Sequence, residues 1–198
     1  MRATGLVAVY LLGAVPVGWI VAWLVGGMDI RRQGSGNIGT TNVLRTLGRG
    51  PAILTLLGDV AKGYLAVRLA GALGPEAWWT AAGAVLAVAG NCWSVFLRFG
   101  GGKGVATGFG AFLGAAPLAT APVALVWVAV VAGLRYASLG SLVACASLPL
   151  AAFLLGYPGS VTAAAAVCGA IIVFRHRENL HRLLTGTERR IGDRVSAT

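Results

Sequence analysis

Seven apolar runs, separated by short polar stretches, make up most of the chain. They span residues 6–25, 52–73, 77–97, 105–116, 117–134, 139–155 and 161–174. A membrane helix needs roughly 20 predominantly apolar residues, so most of these runs approach bilayer length and the fourth is short. The pattern predicts an all-α polytopic membrane protein with about seven transmembrane helices, some of them short, joined by polar glycine-rich loops. We interpret residues 1–198 as one membrane-embedded domain that ends in a basic segment, 175–198.

The distribution of charge predicts how the chain is oriented. Only 11% of the residues are charged, whereas soluble domains average roughly 25%. The net charge of +10 collects in one set of loops, and the turns at 74–76, 117 and 156–159 carry no Lys or Arg. The basic positions are Arg31, Arg32, Arg45, Arg49, Arg98, Lys103, Arg135 and those of segment 175–198. The positive-inside rule therefore predicts an outside N-terminus and cytoplasmic polar loops, with 105–116 crossing the membrane rather than re-entering it.

A glycine-rich stretch with one lysine, residues 98–107, interrupts two apolar runs. Glycine allows backbone N–H groups to approach an anion closely, and Lys103 adds a full positive charge beside them. A nucleotide P-loop is excluded, because Leu97 replaces its first glycine and Gly104 replaces its Ser or Thr. The stretch therefore predicts a pocket for a phosphate or carboxylate. A flexible glycine hinge with a lysine reaching the membrane surface is the alternative.

Residues 34–39 match G-x-G-x-x-G, the pattern of dinucleotide-binding loops. A dinucleotide site needs a strand before the glycines, and here a predicted membrane helix precedes them, so that function is rejected. The surrounding chemistry still suits a phosphate, because hydroxyl and amide groups are followed by Arg45, whose guanidinium can bind phosphate in a fork. These groups belong to Ser35, Asn37, Thr40, Thr41 and Asn42. A solvated loop with helix-capping residues is the alternative.

Two further polar patterns stand out. Asp59 and Lys62 are spaced i, i+3 within an apolar run, which predicts an intramembrane ion pair with either a structural or a substrate-binding role. After residue 174 the chain predicts an amphipathic surface helix, with His176 and Asn179 on one face and a polar stripe of Arg175, Asn179 and Arg182. A basic tail that only contacts lipid is the alternative for this last segment.

Together these stretches resemble the bacterial family of integral membrane glycerol-3-phosphate acyltransferases that use acyl phosphate as the acyl donor. The matching stretches are Gly34-Ser35-Gly36-Asn37-Ile38-Gly39-Thr40-Thr41-Asn42 with Arg45, residues 58–63, residues 95–107, and residues 175–179 through 186–188. They occur in the family's order and cover essentially the whole chain. The chain departs from the family where Gly90-Asn91 stands for a frequent Gly-His and Ser94 for a frequent Pro, so we assign no histidine role there.

The resemblance implies a seven-helix enzyme of the bacterial inner membrane with its active site on the cytoplasmic side. It implies that Ser35 and the turn 36–39 hold the head of acyl phosphate. Arg45, Lys103 and Asn179 would hold the phosphate of glycerol 3-phosphate, and His176 would contact its hydroxyls. The predicted catalytic residues are Ser35, Lys103 and His176. The predicted substrate-binding set is Ser35, Gly36, Asn37, Gly39, Asn42, Arg45, Gly101, Gly102, Lys103, Gly104, Ser141, His176 and Asn179.

The predicted reaction makes lysophosphatidic acid and phosphate and needs neither a metal nor a cofactor. Its partners are the two substrates, membrane lipid and the enzyme that supplies acyl phosphate, with no nucleic acid. Neither histidine fits the His-x4-Asp pattern of thioester-dependent acyltransferases, since His181 follows five residues after His176 and Gly186 follows five after His181. We therefore expect substrate-assisted catalysis, with a nucleophilic Ser35 as the alternative. A transporter of small phosphorylated metabolites and a lipid-binding scaffold are the competing functions.

Overall fold

The computed structural model describes residues 2–192 and places ten α-helices in that range. They are α1 (Arg2–Ala14), α2 (Val17–Gly26), α3 (Thr40–Leu47), α4 (Arg49–Gly71), α5 (Ala77–Cys92), α6 (Val105–Ala115), α7 (Pro117–Leu134), α8 (Ala137–Leu154), α9 (Gly159–Arg175) and α10 (Arg177–Leu184). Within these residues the only β pairing is an isolated bridge between Ser94 and Gly100. The predicted all-α class is confirmed. The last six residues of the basic segment 175–198 lie outside the described residues.

The helices differ in how well each could cross a bilayer alone. By length and apolarity, α7 and α8 each meet the requirement of a membrane span, and two bent pairs meet it jointly, α1 with α2 at 41° and α9 with α10 at 63°. Helix α4 has 23 residues but carries three charged side chains inside its apolar run, and α6 has only 11 residues. The membrane class of the protein is thus supported, and the count of seven crossings stays a prediction.

The first apolar run is not one continuous helix, which corrects the prediction for residues 6–25. Helix α1 ends at Ala14, and α2 begins at Val17 after a 41° bend. Pro16 explains the break, because proline lacks the N–H that would continue the helical hydrogen-bond ladder. The carbonyl of Val15 instead accepts a hydrogen bond from Lys62 Nζ at 2.6 Å. Lys62 in α4 therefore contacts the backbone at the break between α1 and α2.

The third run also ends earlier than predicted, at Cys92 rather than at residue 97. A tight turn follows, in which the N–H groups of Ser94 and Phe99 donate to Gly100 O at 2.9 Å and Ser94 O at 2.8 Å. The Ser94 hydroxyl, which is buried, donates to Ala14 O at 2.6 Å and so joins the end of α5 to the end of α1. These hydrogen bonds fix the position at which the glycine-rich stretch, residues 98–107, begins.

Helix α4 is the centre of the bundle and packs against α1, α2, α3, α5 and α6. Its contact with α6 is close because small residues face backbone on both helices. A Cβ at Gly63 would lie 2.1 Å from Thr107 O, and one at Gly110 would lie 1.9 Å from Val60 O. Helices α7, α8 and α9 form the other half of the bundle, joined to the first half through α5 and α6. The cavity described next lies between the two halves.

Candidate active site

A cavity of about 780 Å³ runs into the bundle between its two halves. At one end it is lined by the polar loops, the start of α6 and the junction of α9 with α10. At the other end it is lined by apolar side chains from α6, α7, α8 and α9. These apolar residues include Phe109, Phe112, Val123, Ala124, Val128, Ala144, Leu148, Ala165 and Ile172. One cavity can therefore accommodate a polar head and a long apolar chain at the same time.

Residues 34–39, which we call the first loop, line the polar end and are held by Asn42. The Asn42 side chain is buried, its Oδ1 accepts from Ser35 N at 2.9 Å, and its Nδ2 donates to Gln33 O at 3.0 Å and Asn37 O at 2.8 Å. Asn37 Oδ1 in turn accepts from Gly39 N at 2.7 Å. These bonds use the amide of Asn42 to shape the loop, which leaves the exposed Ser35 side chain facing the cavity.

Residues 100–104, which we call the second loop, pass close to the end of α5. A Cβ on Gly101 would lie 2.3 Å from Asn91 O, so any larger residue would collide with backbone. Gly102 N donates to that same Asn91 O at 2.9 Å. Gly104 has a left-handed φ of 84° and precedes the first residue of α6. The glycines thus allow close packing and a sharp turn, and the first residues of α6, whose N–H groups have no partner within the helix, line the cavity.

The predicted cation Lys103 lies at the cavity and is oriented by the C-terminal segment. Its Nζ donates a short hydrogen bond to Asn179 Oδ1. Asn179 Nδ2 donates to Glu188 Oε1 at 2.6 Å, and Ser138 Oγ donates to the same oxygen at 2.7 Å. Burial lowers the pKa of Lys103 to about 8, so the ammonium is charged at neutral pH and is less stabilised than an exposed lysine.

Glu188 is the carboxylate on which this end of the site depends. Burial by itself would raise its pKa, but the hydrogen bonds from Ser138, Asn179 and Arg182 outweigh that effect and lower it. Arg182 Nε reaches Glu188 Oε2 at 2.7 Å. Glu188 therefore remains ionised and holds Asn179, which in turn holds Lys103.

His176 is buried at the junction of α9 and α10 and lines the cavity. Its Nδ1 lies 2.8 Å from Ile172 O. A carbonyl oxygen only accepts, so Nδ1 carries the proton in this contact and Nε2 keeps a lone pair. Burial lowers the pKa of His176 to about 4, which keeps the ring neutral at pH 7. The ring can thus accept a hydrogen bond from a substrate hydroxyl.

Two other predicted residues lie at the same cavity. The Arg45 side chain is half-buried there, and its Nη2 donates to Arg189 O at 3.2 Å. Ser141 is buried on α8, where its hydroxyl donates to Ala137 O at 2.8 Å and accepts from Trp127 Nε1 at 3.3 Å. The structure brings all the predicted site residues to one cavity: Ser35, Gly36, Asn37, Gly39, Asn42, Arg45, Gly101, Gly102, Lys103, Gly104, Ser141, His176 and Asn179.

The predicted Asp59–Lys62 ion pair is present and buried. Lys62 Nζ lies 2.8 Å from Asp59 Oδ1 and also donates to Asn91 Oδ1 at 2.9 Å. Together with Val15 O, these acceptors use all three protons of the ammonium. Lys62 therefore connects α4 to the break after α1 and to Asn91 at the end of α5, whose carbonyl also accepts from the second loop. Of the two roles predicted for the pair, these contacts favour the structural one for Lys62.

Sequence reasoning assigned no site role to Glu188, Asn91 or Arg175. Glu188 was within the family-like segment 175–188 and is the one carboxylate between Glu178 and Asp193, which is a usable signal. Asn91 was noted only as a departure from the family pattern. Nothing in the spacing of the apolar runs indicated which residues line the apolar end. Within residues 2–192 there is no group of three or more His, Cys, Asp or Glu residues able to hold a metal ion.

Comparison with known proteins gives consistent results. The family model for glycerol-3-phosphate acyltransferase matches residues 3–186. The glycerol-3-phosphate acyltransferase of Rubrobacter xylanophilus is 48% identical, over 93% of this chain and 92% of its own length. That of Thermus thermophilus is 46% identical, over 97% and 96%.

The solved structures that resemble the chain agree with these sequence matches. PlsY, an integral membrane glycerol 3-phosphate acyltransferase, superposes in its glycerol 3-phosphate form with a TM-score of 0.91 at 40% identity, over 96% of each chain. Its lysophosphatidic acid form gives 0.89 at 39% identity, over 96% of this chain and 95% of that one. On the strength of its polar loops, its fold and these matches, the chain belongs to the glycerol-3-phosphate acyltransferase family.

Proposed function

We propose that the protein transfers a fatty acyl group from acyl phosphate to glycerol 3-phosphate, giving lysophosphatidic acid and phosphate. This is the first acylation step of phospholipid biosynthesis. The observation that carries the proposal is the cavity, because its cationic polar end continues into an apolar end among α6, α7, α8 and α9. An acyl chain in the apolar end would place its activated carbonyl beside the polar loops. The ligands named for the two PlsY structures are the acceptor and the product of this reaction.

The acceptor site is assigned to Arg45, Lys103, Asn179 and His176. A phosphate dianion is bound well by a guanidinium fork and an ammonium, since charge-assisted hydrogen bonds are the strong ones. Lys103 and Asn179 are already in contact, and Arg45 lines the same polar end. Ser141 lies on the α8 side of the cavity, where it can contact the glycerol portion of the acceptor. Bringing both substrates together in one cavity is itself a large contribution to rate.

The donor head is assigned to the first loop. Ser35 and the backbone around it are shaped by the side chains of Asn42 and Asn37, and the buried Ile38 anchors the loop to the helical core. The N–H groups and the Ser35 hydroxyl can hold phosphate oxygens, and Lys103 supplies positive charge where negative charge develops during the reaction. Asn42 then acts on the donor through the loop that it holds.

The proton balance of the reaction requires no separate base. The acceptor hydroxyl oxygen forms a bond to the acyl carbon, the bond from that carbon to the phosphate oxygen breaks, and the hydroxyl proton passes to the departing phosphate. His176 is a weak base because burial lowers its pKa to about 4, so it supplies little driving force for taking an alcohol proton at pH 7. Its Nε2 orients the hydroxyl, and the donor's own phosphate takes the proton.

One assay tests the proposed reaction. Purified protein with acyl phosphate and glycerol 3-phosphate should release phosphate and lysophosphatidic acid in equal amounts, while acyl-CoA and acyl carrier protein thioesters give no product. Lys103→Ala, which removes a charge-assisted contact worth about 1.5–3 kcal/mol, should raise KM for glycerol 3-phosphate roughly tenfold or more. Efficient turnover with a thioester, or an acyl group trapped on Ser35 without acceptor, contradicts the mechanism.

We also infer that the protein resides in the bacterial inner membrane with the polar end of the cavity in the cytoplasm. The support is the one-sided distribution of Lys and Arg among the loops. Single cysteines placed at Gly34 and Glu76, after replacement of Cys92, Cys145 and Cys168, test it. In cells whose outer membrane has been permeabilised, only the cysteine at position 76 should react with a thiol reagent that cannot cross the inner membrane. Reaction of the cysteine at position 34 alone would show the opposite orientation and contradict this inference.

A further inference from the structure

Arg175 ends α9 beside the site, yet its guanidinium is directed at backbone carbonyls. Its Nε donates to Gly102 O at 3.1 Å and its Nη2 to Gly101 O at 3.0 Å. The guanidinium carbon also lies 6.0 Å from the centroid of the Trp93 ring, in cation–π range. The side chain is half-buried. A cation in a site for anions is thus engaged with the neutral backbone of the second loop.

These contacts determine which way two peptide groups point. In a trans peptide, the C=O and the N–H of the same group point in opposite directions. Because Gly101 O accepts a hydrogen bond from Arg175, the N–H of Gly102 points the other way, to Asn91 O, where it donates at 2.9 Å. Because Gly102 O also accepts from Arg175, the N–H of Lys103 points away from the guanidinium. The loop is therefore clamped between α5 on one side and the end of α9 on the other.

The same turn of chain also holds the Lys103 side chain. Asn179 lies four residues after Arg175, beyond the bend, in α10, and accepts a hydrogen bond from Lys103 Nζ. Arg175 thus fixes the backbone just before Lys103, and Asn179 fixes its charged end. A displacement of the backbone at Gly102 would move the ammonium as well, because no other residue intervenes between them.

We propose that Arg175 is a positioning residue for the glycerol 3-phosphate site, acting through Lys103 rather than by contact with substrate. It holds the carbonyls of Gly101 and Gly102 so that the Lys103 ammonium and the first N–H groups of α6 meet the acceptor phosphate together. This inference rests on the proposed assignment of Lys103 as an acceptor ligand. A direct phosphate contact by Arg175 is the competing interpretation, and the two differ in how the effects of Arg175 and Lys103 combine.

A double-mutant cycle separates these interpretations. The variants are Arg175→Met, Lys103→Ala and the two combined, with equilibrium binding of glycerol 3-phosphate and steady-state kinetics as readouts. We expect Arg175→Met to weaken acceptor binding and to lower kcat/KM for glycerol 3-phosphate about 10–100-fold, since a misplacement of about 1 Å can cost up to about 100-fold in rate. In the Lys103→Ala background the same change should cost less than about threefold, since residues that act as a unit are strongly non-additive. KM for acyl phosphate should change less than KM for glycerol 3-phosphate.

The matched control is Arg177→Met, which removes an equal charge two residues along. Arg177 also borders the cavity, but it is exposed, and its described contacts are with Phe174, whose ring centroid lies 5.0 Å from the guanidinium carbon. We expect less than a twofold change in acceptor binding. An equal loss in both Arg variants would show a general charge effect and overturn the proposal. If Arg175→Met does not yield folded protein, Arg175→Lys replaces it in the same cycle, with the same non-additivity expected.

Three outcomes identify which statement fails. If the losses from Arg175→Met and Lys103→Ala multiply, Arg175 contacts the phosphate independently or supports only the fold, and the positioning role is wrong. If Lys103→Ala leaves acceptor binding unchanged, the proposed acceptor site is wrong and the inference fails with it. A strong effect of Lys103→Ala with no effect of Arg175→Met would overturn the inference alone.

Discussion

The two glycine-rich loops of the site use glycine for different physical purposes. In the first loop Gly34 and Gly36 have left-handed φ values of 57° and 70° and are exposed, whereas Ile38 is buried. In the second loop Gly101 is there because its α-carbon lies against Asn91 O. The first loop is held by the side chains of Asn42 and Asn37 and by the buried Ile38, and the second by main-chain contacts to α5 and by Arg175. An added side chain at Gly36 meets mainly backbone strain, whereas one at Gly101 would collide with the backbone at the end of α5.

The largest effect is expected from Gly101→Ala. The added Cβ would lie 2.3 Å from the backbone oxygen of Asn91, so the loop must shift and Lys103 with it. We expect kcat/KM to fall by about 100-fold or more, because a displacement near 1 Å in a site costs that much. Gly36→Ala is the matched change in the first loop. There Ala must adopt a left-handed φ, a strain of about 1–2 kcal/mol, and we expect a loss of roughly tenfold.

Steady-state kinetics on both variants, with thermal unfolding to confirm that each is folded, check this comparison. Equal losses in the two variants would show that the loops have the same physical basis, contrary to our description.

A somewhat smaller effect is expected from Asn42→Ala. The change removes the acceptor for Ser35 N and the donor to three carbonyls, those of Ile30, Gln33 and Asn37. Leaving buried polar groups without partners costs about 1–3 kcal/mol each, so KM for acyl phosphate should rise roughly 10–50-fold. KM for glycerol 3-phosphate should change much less, since the second loop does not depend on Asn42.

Asn37→Ala is the control, because it removes only the acceptor for Gly39 N and should cost less than Asn42→Ala. A rise in KM for both substrates by the same factor would contradict separate donor and acceptor loops.

A moderate effect is expected from raising the pH above the pKa of Lys103. Burial lowers that pKa to about 8, so the ammonium is charged below pH 8 and loses its charge as the pH rises through it. Attraction for the acceptor phosphate is therefore present below pH 8 and lost above it. The value of kcat/KM reports ionisations of the free enzyme, and for glycerol 3-phosphate it should fall by up to about tenfold per pH unit above 8. Lys103→Arg, which stays charged, should remove this alkaline limb even if its activity is lower.

The smallest effect is expected at the exposed ion pair next to the first loop. Arg31 donates to Asp29, with Nη2 2.6 Å from Oδ2, and this hydrogen bonding lowers the pKa of Asp29 to about 2. Exposed pairs contribute about 0–1 kcal/mol, so Arg31→Ala should change kcat/KM by less than twofold. The small stability difference from the wild type should exist above pH 4 and vanish as the pH falls toward 2, because Asp29 then becomes protonated in both proteins. Thermal unfolding at several pH values checks it.

Much of this architecture was predictable because hydropathy reports helices directly. Six of the seven apolar runs coincide with single α-helices to within about five residues, and the polar stretches contain the predicted site residues that line one cavity. The break at Pro16 was not predicted, since prolines are tolerated in apolar helices and a count of apolar residues ignores them. The partners of Lys62 were not predictable either, because Val15 O and Asn91 are distant in sequence.

The distinction between binding and positioning was also beyond the sequence. Asn37 and Asn42 have the same chemistry and lie in the same polar stretch, yet one caps a turn and the other holds the loop through buried bonds. Arg45 and Arg175 are both arginines in family-like segments that donate to backbone carbonyls, but Arg45 contacts the C-terminal segment at Arg189 O and Arg175 contacts the second loop. Only packing shows which polar group is already occupied by the protein.

The ion pair in α4 has a consequence for how the protein is made. Asp59 and Lys62 are three residues apart on one helix, so their charges can compensate each other before any other helix is in place. A segment that neutralises itself meets a lower barrier to entering the bilayer from the translocation machinery than one with an isolated charge. The remaining protons of Lys62 find Val15 O and Asn91 only when α1 and α5 arrive, so tertiary assembly can be completed after insertion.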